Sequence, residues 1–192
     1  CARICHSPTA WGMQQTFGTG AATNSAEDIY FADLFLIIGA NPTNAHPVTG
    51  AKIKQQVMKG KKLIVIDPIT TDLAKLADYH IKLRPGTNVA ILNMMLHFII
   101  KSKLYDKDFV RDRTAGFDNF LKEIERQDVD QLAKVAGVDK QMVKEAAIAY
   151  ATAKNSMEFH GLGVTEQEQG SKTVMLIADL AMITGNIGRK GV

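Results

Sequence analysis

The chain has 192 residues, of which 46% are hydrophobic, 22% charged and 7% aromatic, with a formal net charge of +3. A chain of that length buries roughly 70% of its unfolded surface, so its core needs no covalent staples. Ordinary glycine and proline content excludes collagen-like and low-complexity classes, and so small a charge gives no ground for a nucleic-acid partner. No apolar run reaches the ~18 residues of a membrane span, so no membrane insertion is expected.

The chain opens at Cys1 without a signal-peptide core and closes in a Gly-rich run at Val192. Both ends read as cut, and the expectation is a piece of something longer. Cys1 and Cys5 are the only cysteines. Four positions apart they make a poor disulfide, and they leave a zinc site or an iron–sulfur cluster short of thiolates. Such sparse use points to a cytoplasmic setting, although a cofactor-loaded periplasmic protein fits it too.

Residues 6–31 carry no strong periodicity, and 1–25 read as a segment leading into a sheet. Between Arg3 and Lys52 there is no Lys or Arg, so an anion held there must be held by backbone N–H groups or helix ends. Residues 34–40, 62–67 and 80–83 are short Ile/Leu/Val runs closed by Gly39, Asp67-Pro68 and Pro85-Gly86, the pattern of buried parallel strands. A helix over 47–59 fits between the first two, with Pro47 at its start and Gly60 as its stop. A short helix is expected over 72–78, and a longer one over 87–104 that is apolar almost all round and therefore buried on several faces. Residues 105–155 hold 10 acids and 9 bases. They read as a solvated layer of three helices, 106–113, 117–126 and 139–154, the last capped by Asp139. A fourth strand over 156–162, a loop and a helix over 170–184 complete the chain.

The resulting fold class is α/β, a Rossmann-like, mostly parallel layered sheet flanked by helices, with an additional helical segment at 105–155. Residues 26–104 form its nucleotide-binding part and 156–192 its last strand, loop and helix. Ligands in such sheets bind at the carboxyl ends of the strands. That rule selects 39–42, 67–68, 85–88 and 161–165, all small and polar, although no strict G-x-G-x-x-G is present. Cys5-His6 by itself reads as a nucleophile pair, a metal ligand beside a proton acceptor, or a structural pair. Sequence neighbours rarely aim at one point, which argues against a catalytic dyad.

The motif order resembles the catalytic subunit of molybdopterin-dependent formate dehydrogenases. The matching segments are CARICHSP (1–8), TFGTGAATNS (16–25), LFLIIGANPTNAHPV (34–48), KLIVIDP (62–68), LRPGTNVAILN (83–93), KSKLYDKDF (101–109), GLGVTEQEQG (161–170) and LAMITGNIGRKGV (180–192). The resemblance implies oxidation of formate to carbon dioxide at a bis(molybdopterin guanine dinucleotide) centre holding molybdenum or tungsten. A 4Fe-4S cluster would lie in a part preceding Cys1 and pass electrons to further subunits or domains. It makes Cys5 the metal ligand and His6 the catalytic histidine. Gly39, Asn41, Asn44, His46, Asp67, Pro68, Gly86 and Asn88 would hold one guanine dinucleotide, and Gly163, Thr165 and Glu166 a further cofactor loop. The chain alone would fold without catalysing.

There are departures and rivals. Ile69-Thr70 stand where the family carries an Arg after Asp-Pro, Asn44 where an acid is common and Glu166 where Gln is common. Asn41 could merely start a turn, Asp67 cap the next segment and His46 pack in a loop. His80, His97 and His160 read as structural histidines, the Met-rich stretches as core and Trp11 as packing. Another oxidoreductase of the superfamily, such as a nitrate reductase, and a non-catalytic nucleotide-binding module are the alternatives.

Overall fold

The computed structural model describes residues 2–192. Cys1, with which the matching segment CARICHSP begins, lies outside the described residues. Four parallel strands, β1 (Leu34–Ile38), β2 (Lys62–Ile66), β3 (Tyr79–Ile81) and β4 (Ser156–His160), form one sheet in the order β3-β2-β1-β4. β1 is central and buried at all five residues, which is why its sequence is an unbroken apolar run rather than an alternating one. β1 pairs with β2 from Leu34↔Lys62 to Ile38↔Ile66, and with β4 from Leu34↔Ser156 to Ile38↔His160. The order steps outward from β1 to β3, then returns to the other side of β1 for β4. The place where that order reverses lies at the carboxyl ends of β1 and β4.

Before the sheet come α1 (Ala2–Cys5) and α2 (Ser7–Phe17); α3 (Pro42–Ala45) and α4 (Pro47–Met58) connect β1 to β2. Between β3 and β4 lie α5 (Asn88–Lys101), α6 (Lys107–Arg113), α7 (Phe117–Glu125), α8 (Val129–Ala136) and α9 (Lys140–Thr152). After β4 come α10 (Leu162–Thr165) and α11 (Gly170–Ile183).

The alternation of each strand divides the interior in two. Leu34, Leu36 and Ile38 face a large core built with α5, α9 and α11, while Phe35 and Ile37 face a smaller one with Ile53 of α4 and Ile29. α5 is buried round most of its circumference, including Ile91, Met94, Met95 and Ile99, as its composition predicts. Asp139 caps α9 through the Gln141 N–H, also as expected.

Four expectations are corrected. The helix over 72–78 is only a 3-10 turn at Ala74–Leu76, in which the Thr71 hydroxyl accepts from the Ala74 N–H. The charged segment holds four helices, not three: α8 is capped by Asp128, whose carboxylate accepts from Asp130 and Gln131 N–H, and is closed by the left-handed Gly137. Residues 7–17, read as patternless, form α2, which packs along α11. That contact is close because Gly12 lies in it: a Cβ there would stand 2.9 Å from both Ser171 O and Val174 Cβ. Trp11, read as packing, is 53% exposed.

Candidate active site at the carboxyl end of the sheet

The loops after β1 and β4 touch backbone to backbone. Gly39 turns with φ +54°, a conformation that disfavours any side chain, and a Cβ on it would stand 2.6 Å from the Gly163 carbonyl carbon. The Gly163 N–H donates to Gly39 O at 2.9 Å, and the Asn88 side-chain amide donates to Gly163 O at 3.2 Å. Gly39, Gly163 and Asn88 are thus brought together where β1, β4 and α5 meet. Gly86 makes the exposed left-handed turn just before α5.

The segment carrying Cys5 and His6 is fastened to this place by α2. Thr9 Oγ1 lies 2.8 Å from Thr165 Oγ1 and 3.2 Å from His160 Nε2, and α1 contacts α10. Cys5 and His6 are exposed, and Cys5 is a free thiol. His6 lies on the rim of a cavity of about 480 Å³ that runs along the outer edge of β4. Among the described residues, its titratable lining groups are His6, Glu158 and His160. Burial pushes the His160 imidazole down to about 4, so it is neutral at physiological pH. Burial pushes Glu158 up to about 8, opposed in part by the Tyr150 hydroxyl that donates to its Oε1 at 2.8 Å. His160, read from sequence as structural, is bonded to Thr9 but also faces the cavity. Sequence reasoning misses Thr9 and Glu158 altogether. A carboxyl group set between Met157 and Phe159 in a short strand is the one signal that could have marked Glu158.

A second group of the expected residues lies over the ends of β1 and β2. Asn41 accepts from the Thr43 hydroxyl at 2.7 Å, a turn-starting contact. Asp67 is buried and one of its oxygens accepts from Ile69 N–H at 2.8 Å, which leaves the other without a hydrogen-bond partner among the described residues. His80 Nε2 is 3.0 Å from Asp67 O and His97 Nδ1 is 3.0 Å from Ile124 O, both backbone contacts of a structural kind. Asn44, His46, Pro68 and Glu166 are exposed, so His46 is not packed. Arg84, the cation at the start of the 85–88 loop, donates to Lys134 O and Val135 O.

The donor set bears on which metal group could sit here. Among the described residues no group of three or more His, Cys, Asp or Glu side chains could hold an ion by itself. An exposed, soft sulfur donor at Cys5 fits a metal that arrives carrying most of its own ligands. It does not fit a bare ion. No helix among the described residues is long and apolar enough to cross a membrane.

The chain has relatives among known proteins. The chain is 44% identical over 191 residues, all of its length, to the F420-dependent formate dehydrogenase subunit alpha of Methanocaldococcus jannaschii, of which it spans 28%. It is 40% identical over 189 residues to formate dehydrogenase H of Escherichia coli, covering 98% of this chain and 26% of that one. Among solved structures, acetylene hydratase from Pelobacter acetylenicus superposes with a TM-score of 0.87 at 28% identity, over 97% of this chain and 25% of that one. The chain therefore spans little more than a quarter of the curated relatives it matches. A sequence model of the family described as molybdopterin oxidoreductase matches residues 1–191, and the chain belongs to that family.

Proposed function

We propose that this chain is the sheet-bearing part of a formate dehydrogenase catalytic subunit, which oxidises formate to carbon dioxide. The observation that carries the reading is His6 at the cavity rim directly after the exposed Cys5, in a chain 44% identical over its whole length to a formate dehydrogenase subunit alpha. The cofactor is a bis(molybdopterin guanine dinucleotide) with molybdenum or tungsten, and when bound it supplies the two-electron redox chemistry. Cys5 would hold the metal as a thiolate. His6, its neighbour, takes up the proton that formate loses and orients the carboxylate. Asn41, Asn44, His46, Asp67, Pro68, Gly86 and Asn88 hold one guanine dinucleotide. Asp67 has a free carboxylate oxygen for a ribose hydroxyl or a guanine N–H. With no Lys or Arg between Arg3 and Lys52, the phosphates next to the β1 loop are held by backbone N–H groups. Gly39 belongs with the residues that hold this dinucleotide, and Gly163, Thr165 and Glu166 form the further cofactor loop, joined to the first by the Gly39–Gly163 backbone contact.

A 4Fe-4S cluster outside residues 1–192 would pass the electrons on to partner subunits or domains. The setting is the cytoplasm or the periplasm. Another reaction of the same family is the second reading, resting on the likeness to acetylene hydratase; 28% against 44% identity ranks it second. The test is viologen reduction by formate with the purified full-length protein, alongside elemental analysis. Turnover with one metal per chain is expected. A fully metallated protein that reduces no dye with formate would point to the second reading.

A further inference from the structure

The cavity beside His6 holds a carboxyl group that the proposed chemistry does not use. Glu158 and His160 alternate onto the same face of β4, opposite Leu36 and Ile38 of β1. Tyr150, reaching in from α9, donates to Glu158 Oε1 at 2.8 Å. The other Glu158 oxygen has no hydrogen-bond partner among the described residues, and Glu158 opens on the cavity.

Among the described residues no cation compensates this group. Tyr150 is the facing group from α9, His160 the one from β4 itself and His6 the one before α2. From α11 the lining is Val174, Ile177, Ala178 and Ala181, and from the segment after it Asn186, Ile187 and Val192. Asp179 of α11 is outside the lining. Arg189 reaches only as far as Asn186 Oδ1, at 3.0 Å.

We propose that Glu158 is a specificity-determining residue of this cavity: as an uncharged acid it donates a hydrogen bond from its free oxygen to a small monocarboxylate entering past His6, and as a carboxylate it repels that anion. This rests on the formate reading for the identity of the anion. The physical basis is that an acid O–H facing a carboxylate makes a charge-assisted hydrogen bond, whereas two carboxylates in one cavity repel. The same burial that leaves Glu158 without a cation holds it protonated up to about pH 8. His160, pushed down to about 4, stays neutral over the alkaline range and contributes no compensating charge.

The occupancy of the protonated form sets the apparent affinity. With Glu158 at about 8, that form falls from about nine-tenths at pH 7 to about one-tenth at pH 9. Affinity for formate should therefore fall about ten-fold over that interval. The experiment is saturation-transfer NMR with ¹³C-formate and the 192-residue chain, at both pH values, for wild type and Glu158→Gln. The Gln variant keeps a donor and cannot ionise, so its affinity should change less than two-fold. Circular dichroism establishes that each protein is folded, and Glu158→Asp, which keeps the ionisable group, should retain a pH-dependent loss. No formate binding by the folded wild type at pH 7, or an equal pH dependence in wild type and Glu158→Gln, would overturn the assignment. Its failure is separable from that of the formate dehydrogenase reading. Formate binding with this pH profile in a protein whose metallated full-length form oxidises no formate would leave the cavity assignment standing and remove the enzymatic one. The opposite pair of results would do the reverse.

Discussion

Replacing Glu158 by Gln should flatten the stability of the chain above neutral pH, and the size of the effect comes from where the group sits. Burial raises the carboxyl from an ordinary value of 4.5 to about 8. Above pH 4.5 the unfolded chain has lost this proton while the folded chain keeps it, so the folded state binds more protons and stability falls as pH rises, until the folded group itself ionises near 8. Two other partly buried groups act at lower pH. Asp179, raised to about 6, works in the same direction and is finished by about that pH. His160, lowered from 6.5 to about 4, works in the opposite direction, since below 6.5 the unfolded chain takes the extra proton. Between about pH 6.5 and 9 the Glu158 contribution stands nearly alone. At about 1.4 kcal/mol per pH unit, levelling off near the folded value, wild type should lose about 2 kcal/mol relative to Glu158→Gln over that interval. Urea unfolding of both proteins at half-unit steps, read as the difference in unfolding free energy, measures it directly. Parallel curves for the two proteins would show that Glu158 is solvated and ionised at neutral pH, and would refute the reasoning.

Gly39→Ala should destabilise the fold by about 2–4 kcal/mol, because it combines a left-handed backbone with a Cβ driven into the Gly163 backbone. Urea midpoints against wild type check it, and a shift worth less than about 0.5 kcal/mol would mean that the two loops part easily. His6→Ala in the full-length protein should lower kcat for formate while metal and pterin content stay at the wild-type level. A full kcat would reduce His6 to an exposed residue at the cavity rim.

How far the sequence can be read depends on what each element is made of. β1 and β2 are visible because a strand buried on both faces must be apolar throughout, as Leu34–Ile38 and Leu63–Ile66 are. α2 is not visible, because its contact with α11 is made through Gly12, and close backbone approach leaves no hydrophobic stripe to detect. α8 did carry its signals, an Asp128 cap and a Gly137 stop around eight residues, but they are easily lost inside a segment so rich in charge. The expected helix over 72–78 yields to tertiary constraint. Asp78 N–H donates to Leu63 O and its carboxylate accepts from Leu63 N–H, which ties the chain to β2 before a full helical turn can close.

The candidate site divides in the same way. The strand-end rule locates Gly39, Asp67, Gly86 and Gly163 from the pattern alone, since the carboxyl ends of parallel strands are set by the order of the runs. Cys5 and His6 have no such pattern, and only the motif resemblance singles them out. Their attachment to the sheet runs through Thr9, Thr165 and His160, with more than 150 positions between Thr9 and its partners, a separation that no local reading could bridge. Glu158 is hidden for another reason. Its desolvation depends on Tyr150 of α9 and on the α11 residues that line the same cavity, and a five-residue strand gives no warning of that.

The central claim is that Cys5 ligates the metal. Metal-edge X-ray absorption on the full-length protein, wild type and Cys5→Ala, tests it most directly. One sulfur fewer in the first coordination shell of the variant, with formate oxidation abolished, is the predicted result. The same sulfur count in both proteins would contradict it.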